Sequence, residues 1–211
     1  MAVFDPDCRA CPRLAAHLRE VRRRHPDYHA RPVAPFGPRR ARLLVVGLAP
    51  GLHGANATGR PFTGDHAGIL LYETLHRFGF ASRPESRHRR DGLVLRDCRI
   101  TNAVKCLPPA NRPTPAEVAR CNGYLAAELA AVPEGGVVLA LGTLAHGAVL
   151  RALGRRQADH PFAHGRRHRP GTGWTLLDSY HCSRYNTQTG RLTPAMFRRV
   201  FQRIARLLEA A

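Results

Sequence analysis

The apolar positions of the chain fall into two kinds of pattern. Four short runs, about Leu43–Gly47, Cys98–Val104, Val137–Leu141 and Trp174–Ser179, are mostly apolar along their length. A strand reads this way when both of its faces are buried, as in a parallel sheet covered by helices. Between and after these runs the apolar residues recur at intervals of three and four. That period predicts helices over about Ala67–Phe78, Pro115–Ala131, Leu144–Leu153 and Pro194–Leu208, with another over Pro12–Arg24 ahead of the first run. The last helix is the clearest. Phe197, Val200, Phe201, Ile204, Leu207 and Leu208 share one face, Arg198, Arg199, Arg203 and Arg206 the other, and Thr193 with Pro194 marks the start.

Alternation of two-sided strands with helices predicts an α/β protein, a three-layer α/β/α domain around a four-stranded, mainly parallel sheet. No repeat or linker divides the sequence, so residues 1–211 are expected to form a single domain, with 1–41 supplying an N-terminal helix and loop. Ligands in such folds bind beyond the carboxyl ends of the strands. Function is therefore sought in Ala49–His66, Lys105–Thr114, Gly142–Thr143 and Tyr180–Leu192.

Composition narrows the class. With 211 residues, 44% of them hydrophobic, the chain can bury a core without disulfide staples, which excludes both a disordered segment and a cystine-built miniature. Lys and Arg number 33 against 15 Asp and Glu, a formal +18, and Lys105 is the single lysine. Nucleotide-composition bias accounts for arginine over lysine but not for the shortage of acids. A field of this sign attracts polyanions, nucleic acid foremost. The arginine-rich stretches Arg83–Arg99 and Arg151–Arg169 read equally well as solvated loops or as phosphate-contacting surfaces. The sequence shows no apolar leader or membrane-spanning run, so a cytoplasmic location is expected. Nothing in it asks for an oligomer, and a monomer is expected.

Three groups of residues carry candidate chemistry. Cys8 and Cys11 form a C-x2-C pair, and Cys106 and Cys121 lie further along. Four thiolates suit a structural zinc or an iron-sulfur cluster, with unrelated buried thiols as the plain alternative. The second pair spans a loop and part of a helix, which leans towards a cluster. Cys98, inside a strand, reads as core. The glycine-rich loop Gly47–Gly68 fits neither nucleotide-binding fingerprint. It carries one aromatic, Phe62, and one acid, Asp65, which is either a functional carboxylate or the N-cap of the next helix. The third group is Asn102, whose amide can read a ligand edge near the end of the second strand, with His181, Arg184 and Tyr185 after the last one.

These segments resemble a known family. GLAPG followed by GRPFTGD, then ITNAVKC, the four cysteines and H-x-S-x-x-N-x-x-T-G-R-L-T occur in the order found in iron-sulfur uracil-DNA glycosylases, and are most similar to the broad-specificity family 5 branch. The resemblance covers nearly the whole chain. It implies a [4Fe-4S] cluster on Cys8, Cys11, Cys106 and Cys121, zinc being the less suited metal, that ties residues 1–41 to the rest. It implies a monofunctional glycosylase of base excision repair that flips uracil or another deaminated or damaged base out of DNA and hydrolyses its N-glycosidic bond. Hypoxanthine, xanthine and ethenocytosine are the further bases considered.

The site residues follow from the same resemblance. Asp65, His181 and Asn102 are expected to be catalytic, and Phe62, Leu48, Gly51 and Asn56 to bind the base. Arg184, Tyr185 and Arg60 are expected on the DNA. Relatives restricted to uracil carry Glu or Gln at the position of Leu48, so this leucine points to the broader branch and shifts the water-positioning role to Asp65, expected to ionise near ~3.9. Cys182 departs from the Val or Pro usual after the histidine. The rival reading is a non-catalytic iron-sulfur or zinc nucleic-acid-binding module, or a redox sensor, in which Asp65 and His181 have no role.

Overall fold

A computed structural model describes residues 3–210. Its sheet has five strands, β1 Leu43–Gly47, β2 Cys98–Asn102, β3 Val137–Leu141, β4 Arg167–His168 and β5 Thr175–Ser179, in the order β2-β1-β3-β5-β4. The four expected strands are all present and all mutually parallel. The fifth, β4, was not anticipated: two residues long and antiparallel to β5, it gives the sheet a mixed edge. The second strand is assigned only to Asn102, yet Ala103 and Val104 continue the ladder by donating to the carbonyls of Gly47 and Leu48, each at 2.9 Å.

Within each buried strand alternate residues serve opposite layers. Val45, Ile100, Leu139 and Leu177 pack beneath α3 (His66–Arg77) and α7 (Pro194–Glu209). Leu44, Val46, Val138, Ala140 and Leu176 pack beneath α4 (Pro115–Leu129) and α5 (Thr143–Ala152). The three-layer expectation therefore holds. A short helix, α2 (Ala55–Thr58), interrupts the loop after β1, and another, α6 (Arg184–Gln188), follows β5. The imidazoles of His146 and His168 donate to the two oxygens of buried Asp178 at 2.7 and 2.8 Å, joining α5 and β4 to β5.

The chain leaves β1 towards β2 on one side and β3 lies on the other, so a crevice opens beyond the carboxyl end of β1. α1 (Pro12–Arg24) lies outside the sheet. Arg13 grips Glu117 on α4 with two hydrogen bonds of 2.8 and 2.7 Å, and Glu117 closes a capping box with Thr114. No helix among the described residues is long and apolar enough to cross a membrane.

Candidate active site

The segments after β1, β2 and β5 converge on one cavity of about 230 Å³. Its wall includes Leu48, Gly51, Phe62, Asp65, Asn102 and His181, so six of the residues singled out in the sequence meet there.

Asp65 is the helix cap considered for it and also reaches the cavity. It is the N-cap of α3, its Oδ1 accepting the Gly68 N–H at 3.0 Å, and it also forms part of the cavity wall. Its other oxygen lies over Gly54, where a Cβ would stand 2.4 Å from Oδ2, so only glycine leaves room for the carboxylate. Burial raises the Asp65 pKa above the ordinary carboxylate range, while backbone N–H groups of Gly68 and Ala67 pull the other way. The unperturbed ionisation expected from sequence is thereby corrected.

Phe62 is buried at 5% exposure and held at φ +54°, a left-handed conformation that an aromatic residue rarely adopts. Its ring stacks on the imidazole of His181 with centroids 5.9 Å apart. Gly47 lets this ring and the Asn102 amide approach the end of β1, since a Cβ there would stand 2.6 Å from the ring and 2.4 Å from Oδ1. Burial pushes the His181 pKa down to about 4, so the ring is neutral at neutral pH. The backbone carbonyl of His181 accepts from Asn186 Nδ2 at 2.8 Å.

Among the wall residues that the sequence did not single out is the polar Asn111. Asn111 lies in the 3-10 turn Pro109–Asn111 at φ +56°, exposed, and its side chain reaches the cavity. The signal was an asparagine, a residue tolerant of left-handed turns, inside a segment already marked as following a strand.

Two assignments are corrected. Arg60, expected on DNA, is 4% exposed. Its guanidinium donates to both oxygens of Asp91 at 2.9 and 3.0 Å and to the Arg89 carbonyl at 2.6 Å, and lies over the Phe36 ring. It cannot serve a phosphate while it fastens the 85–91 loop. Burial opposes ionisation of Asp91, yet bonds from the Leu93 N–H, Arg60 and further backbone N–H groups hold its pKa down to about 2. Much of that arginine-rich stretch is therefore a folded loop. Asn56, expected at the base, is fully buried in α2 outside the cavity wall, its Nδ2 donating weakly to the Leu52 carbonyl. Arg184 and Tyr185 stand exposed on α6, Tyr185 at 70%.

A second cavity, about 250 Å³, lies on the α1 side of β2 and is lined by all four of Cys8, Cys11, Cys106 and Cys121. All are free thiols. A tetrahedral zinc, with bonds of about 2.3 Å, brings its sulfurs within roughly 3.8 Å of one another. No three of these sulfurs lie within 4.8 Å of one another among the described residues. Wider spacing around a cavity suits a polynuclear group better than a single ion. Burial and the charge of the other cysteines push Cys106 up to about 12, so a positive metal core is what would favour its thiolate. The Lys105 N–H already donates to Cys121 Sγ at 3.3 Å.

The family model of the Uracil DNA glycosylase superfamily matches residues 34–205. A type-5 uracil-DNA glycosylase of Thermus thermophilus is 49% identical, over 95% of this chain and 93% of the relative. One from Pyrobaculum aerophilum is 45% identical, over 94% and 88% respectively. A type-4 uracil-DNA glycosylase of Thermotoga maritima is 41% identical but aligns with 49% of this chain and 46% of its own length.

Proposed function

The chain belongs to the uracil-DNA glycosylase superfamily, and from that premise we propose that it flips uracil, and other deaminated bases, out of DNA and cleaves the N-glycosidic bond by hydrolysis. The observation that carries this reading is the meeting of Asp65, Asn102, Phe62 and His181 around one cavity at the carboxyl ends of the strands.

A base inside a duplex is out of reach, so the nucleotide must first rotate out, at a cost of about a few kcal/mol that mispairing lowers. Arg184 and Tyr185, exposed on α6, occupy the vacated stack in this reading. Phe62 offers a ring to the extruded base and Asn102 an amide to its edge. As the bond between C1′ and the base nitrogen breaks, its electron pair leaves with the base and positive charge grows on the sugar. The neutral His181 imidazole donates a hydrogen bond to the departing base. Ionised Asp65 opposes the sugar cation and orients the water that adds to C1′; as the sugar hydroxyl forms, the water's proton passes to the carboxylate and from there neutralises the base that left with the bonding pair. Asn111 supplies a further polar group at the same wall.

Leu48 supports the wider range of bases, because an apolar wall sets no hydrogen-bond pattern that only uracil satisfies. In this reading the protein acts as a monomer at the DNA of the cytoplasmic nucleoid. A passive binder has no use for a half-buried acid and a half-buried histidine on the wall of one cavity.

The four cysteines suit a [4Fe-4S] cluster, with zinc the poorer fit. When bound, such a group supplies structural cross-linking between α1, the segment after β2, and α4, and takes no part in hydrolysis.

The test is incubation of the purified protein with oligonucleotides bearing uracil, hypoxanthine, xanthine or ethenocytosine opposite each normal base, scoring abasic sites. Excision of uracil and at least one other base is expected. No excision of any of them overturns the reading.

A further inference from the structure

The five-residue helix α6 carries both wedge residues yet has no buried residue of its own. Apolar packing therefore does not hold it, and its position depends on polar contacts. Within the helix, Ser183 caps the start by accepting the Asn186 N–H at 3.4 Å. Outwards, two side-chain contacts reach the two catalytic residues' own segments. Asn186 Nδ2 donates to the His181 carbonyl at 2.8 Å. His66, the residue after Asp65 and the first of α3, places Nε2 at 2.9 Å from Thr187 Oγ1.

Counting protons gives the second contact a direction. Thr187 Oγ1 also lies 3.2 Å from the Ser183 carbonyl and 3.0 Å from that of Arg184, and these oxygens only accept. The single hydroxyl proton is thus directed into its own helix, and the oxygen is left to accept from His66 Nε2–H. Asp65, His66 and Arg184 also line one open groove, so the bridge spans the ground between the acid and the wedge.

We propose that the His66–Thr187 hydrogen bond is a positioning contact that holds α6, with Arg184 and Tyr185, in register with Asp65, so that wedge insertion and assembly of the pocket occur together. This rests on the glycosylase reading. His66 touches no reacting atom in this account. It acts through the placement of α6, so its importance scales with how hard the base is to extrude. In a matched uracil–adenine duplex the wedge must do the most work, and in single-stranded DNA hardly any.

The test compares wild type, His66→Ala, Thr187→Val and Thr187→Ser in single-turnover excision of uracil from a uracil–adenine duplex and from single-stranded DNA. His66→Ala and Thr187→Val are expected to lose about five- to tenfold on the duplex and less than about twofold on the single strand. Thr187→Ser should keep the wild-type duplex rate, and a His66→Ala, Thr187→Val double variant should be no slower than either single one. Equal losses on both substrates, or none, overturn the bridge while leaving the glycosylase reading intact. Hydrogen exchange of the free protein gives a readout independent of activity: amides of 184–188 should exchange faster in His66→Ala, and unchanged exchange there overturns the bridge even if wild type excises nothing.

Discussion

The Asp65 pocket and the cysteine cavity lie at the two ends of the same stretch, Asn102 to Cys106, and they are built in opposite ways. In the pocket the chain's own groups satisfy one another. Asp65 caps α3 by accepting the Gly68 N–H, the Phe62 ring rests on His181, and Gly47 and Gly54 admit the close approaches. In the cavity, burial raises the pKa of Cys11, Cys106 and Cys121, and the Lys105 N–H donates to Cys121 Sγ. One region is preorganised for chemistry by backbone shape, whereas the other is a set of donors whose charge a metal would have to balance. Lys105 touches both: its N–H reaches Cys121, and its Nζ donates to the Asn102 carbonyl at 2.9 Å and to Thr101 Oγ1. The difference predicts that damage to the pocket removes activity from a folded protein, and damage to the cavity removes folded protein with activity.

The sharpest break in that contrast is at His181. His181→Ala should slow single-turnover excision on the order of a hundredfold or more, with DNA binding changed far less, because the lost donor acts on charge that develops in the transition state. Next is Gly54→Ala, whose new methyl must displace the Asp65 carboxylate. A loss of about tenfold or more in excision is expected, with no comparable loss of thermal stability. Cys121→Ser should show the reverse: iron, acid-labile sulfide and several degrees of thermal stability are lost, while the excision rate per folded molecule stays within about threefold. If Cys121→Ser kept its iron and its melting temperature, the ligand set would be wrong.

The smallest effect expected is in the pH profile. With the folded-state pKa of His181 pushed down to about 4, the ring stays neutral across pH 6 to 8, and it contributes no change in rate there. Asp65, raised by burial, should set an acid limb above the ordinary carboxylate range, activity falling as pH drops and the carboxyl takes up its proton. A twofold-or-greater fall in single-turnover rate between pH 8 and 6 that disappears in a His181 variant would contradict the neutral imidazole.

The sheet was legible because strands buried on both faces leave continuous apolar runs. β4, Arg167–His168, left no such trace: a two-residue edge strand is defined by its pairing with β5 and not by its own pattern. α6 escaped for a related reason, since its residues have no apolar face and its place is fixed by polar contacts to distant segments. The candidate site was legible wherever a residue lay at or beyond the carboxyl end of a strand, as Asn102, Asp65 and His181 do. It was not where long-range pairing decides. Arg60 sits in a motif that looks solvent-facing, but its partner Asp91 lies 31 residues away, and only the folded loop brings them together. Asn111 reaches the pocket through a left-handed turn that residue spacing does not reveal. The raised pKa of Asp65 likewise depends on burial by the surrounding elements.

The central claim is that the bond is broken at the cavity where Asp65 meets His181. The most direct measurement is single-turnover uracil excision by Asp65→Asn at saturating enzyme, with DNA binding and melting temperature measured on the same preparation. Asparagine keeps an oxygen for the helix cap but carries no charge, so the account predicts a fall of about a hundredfold or more with binding and stability close to wild type. An excision rate within a few fold of wild type would contradict it.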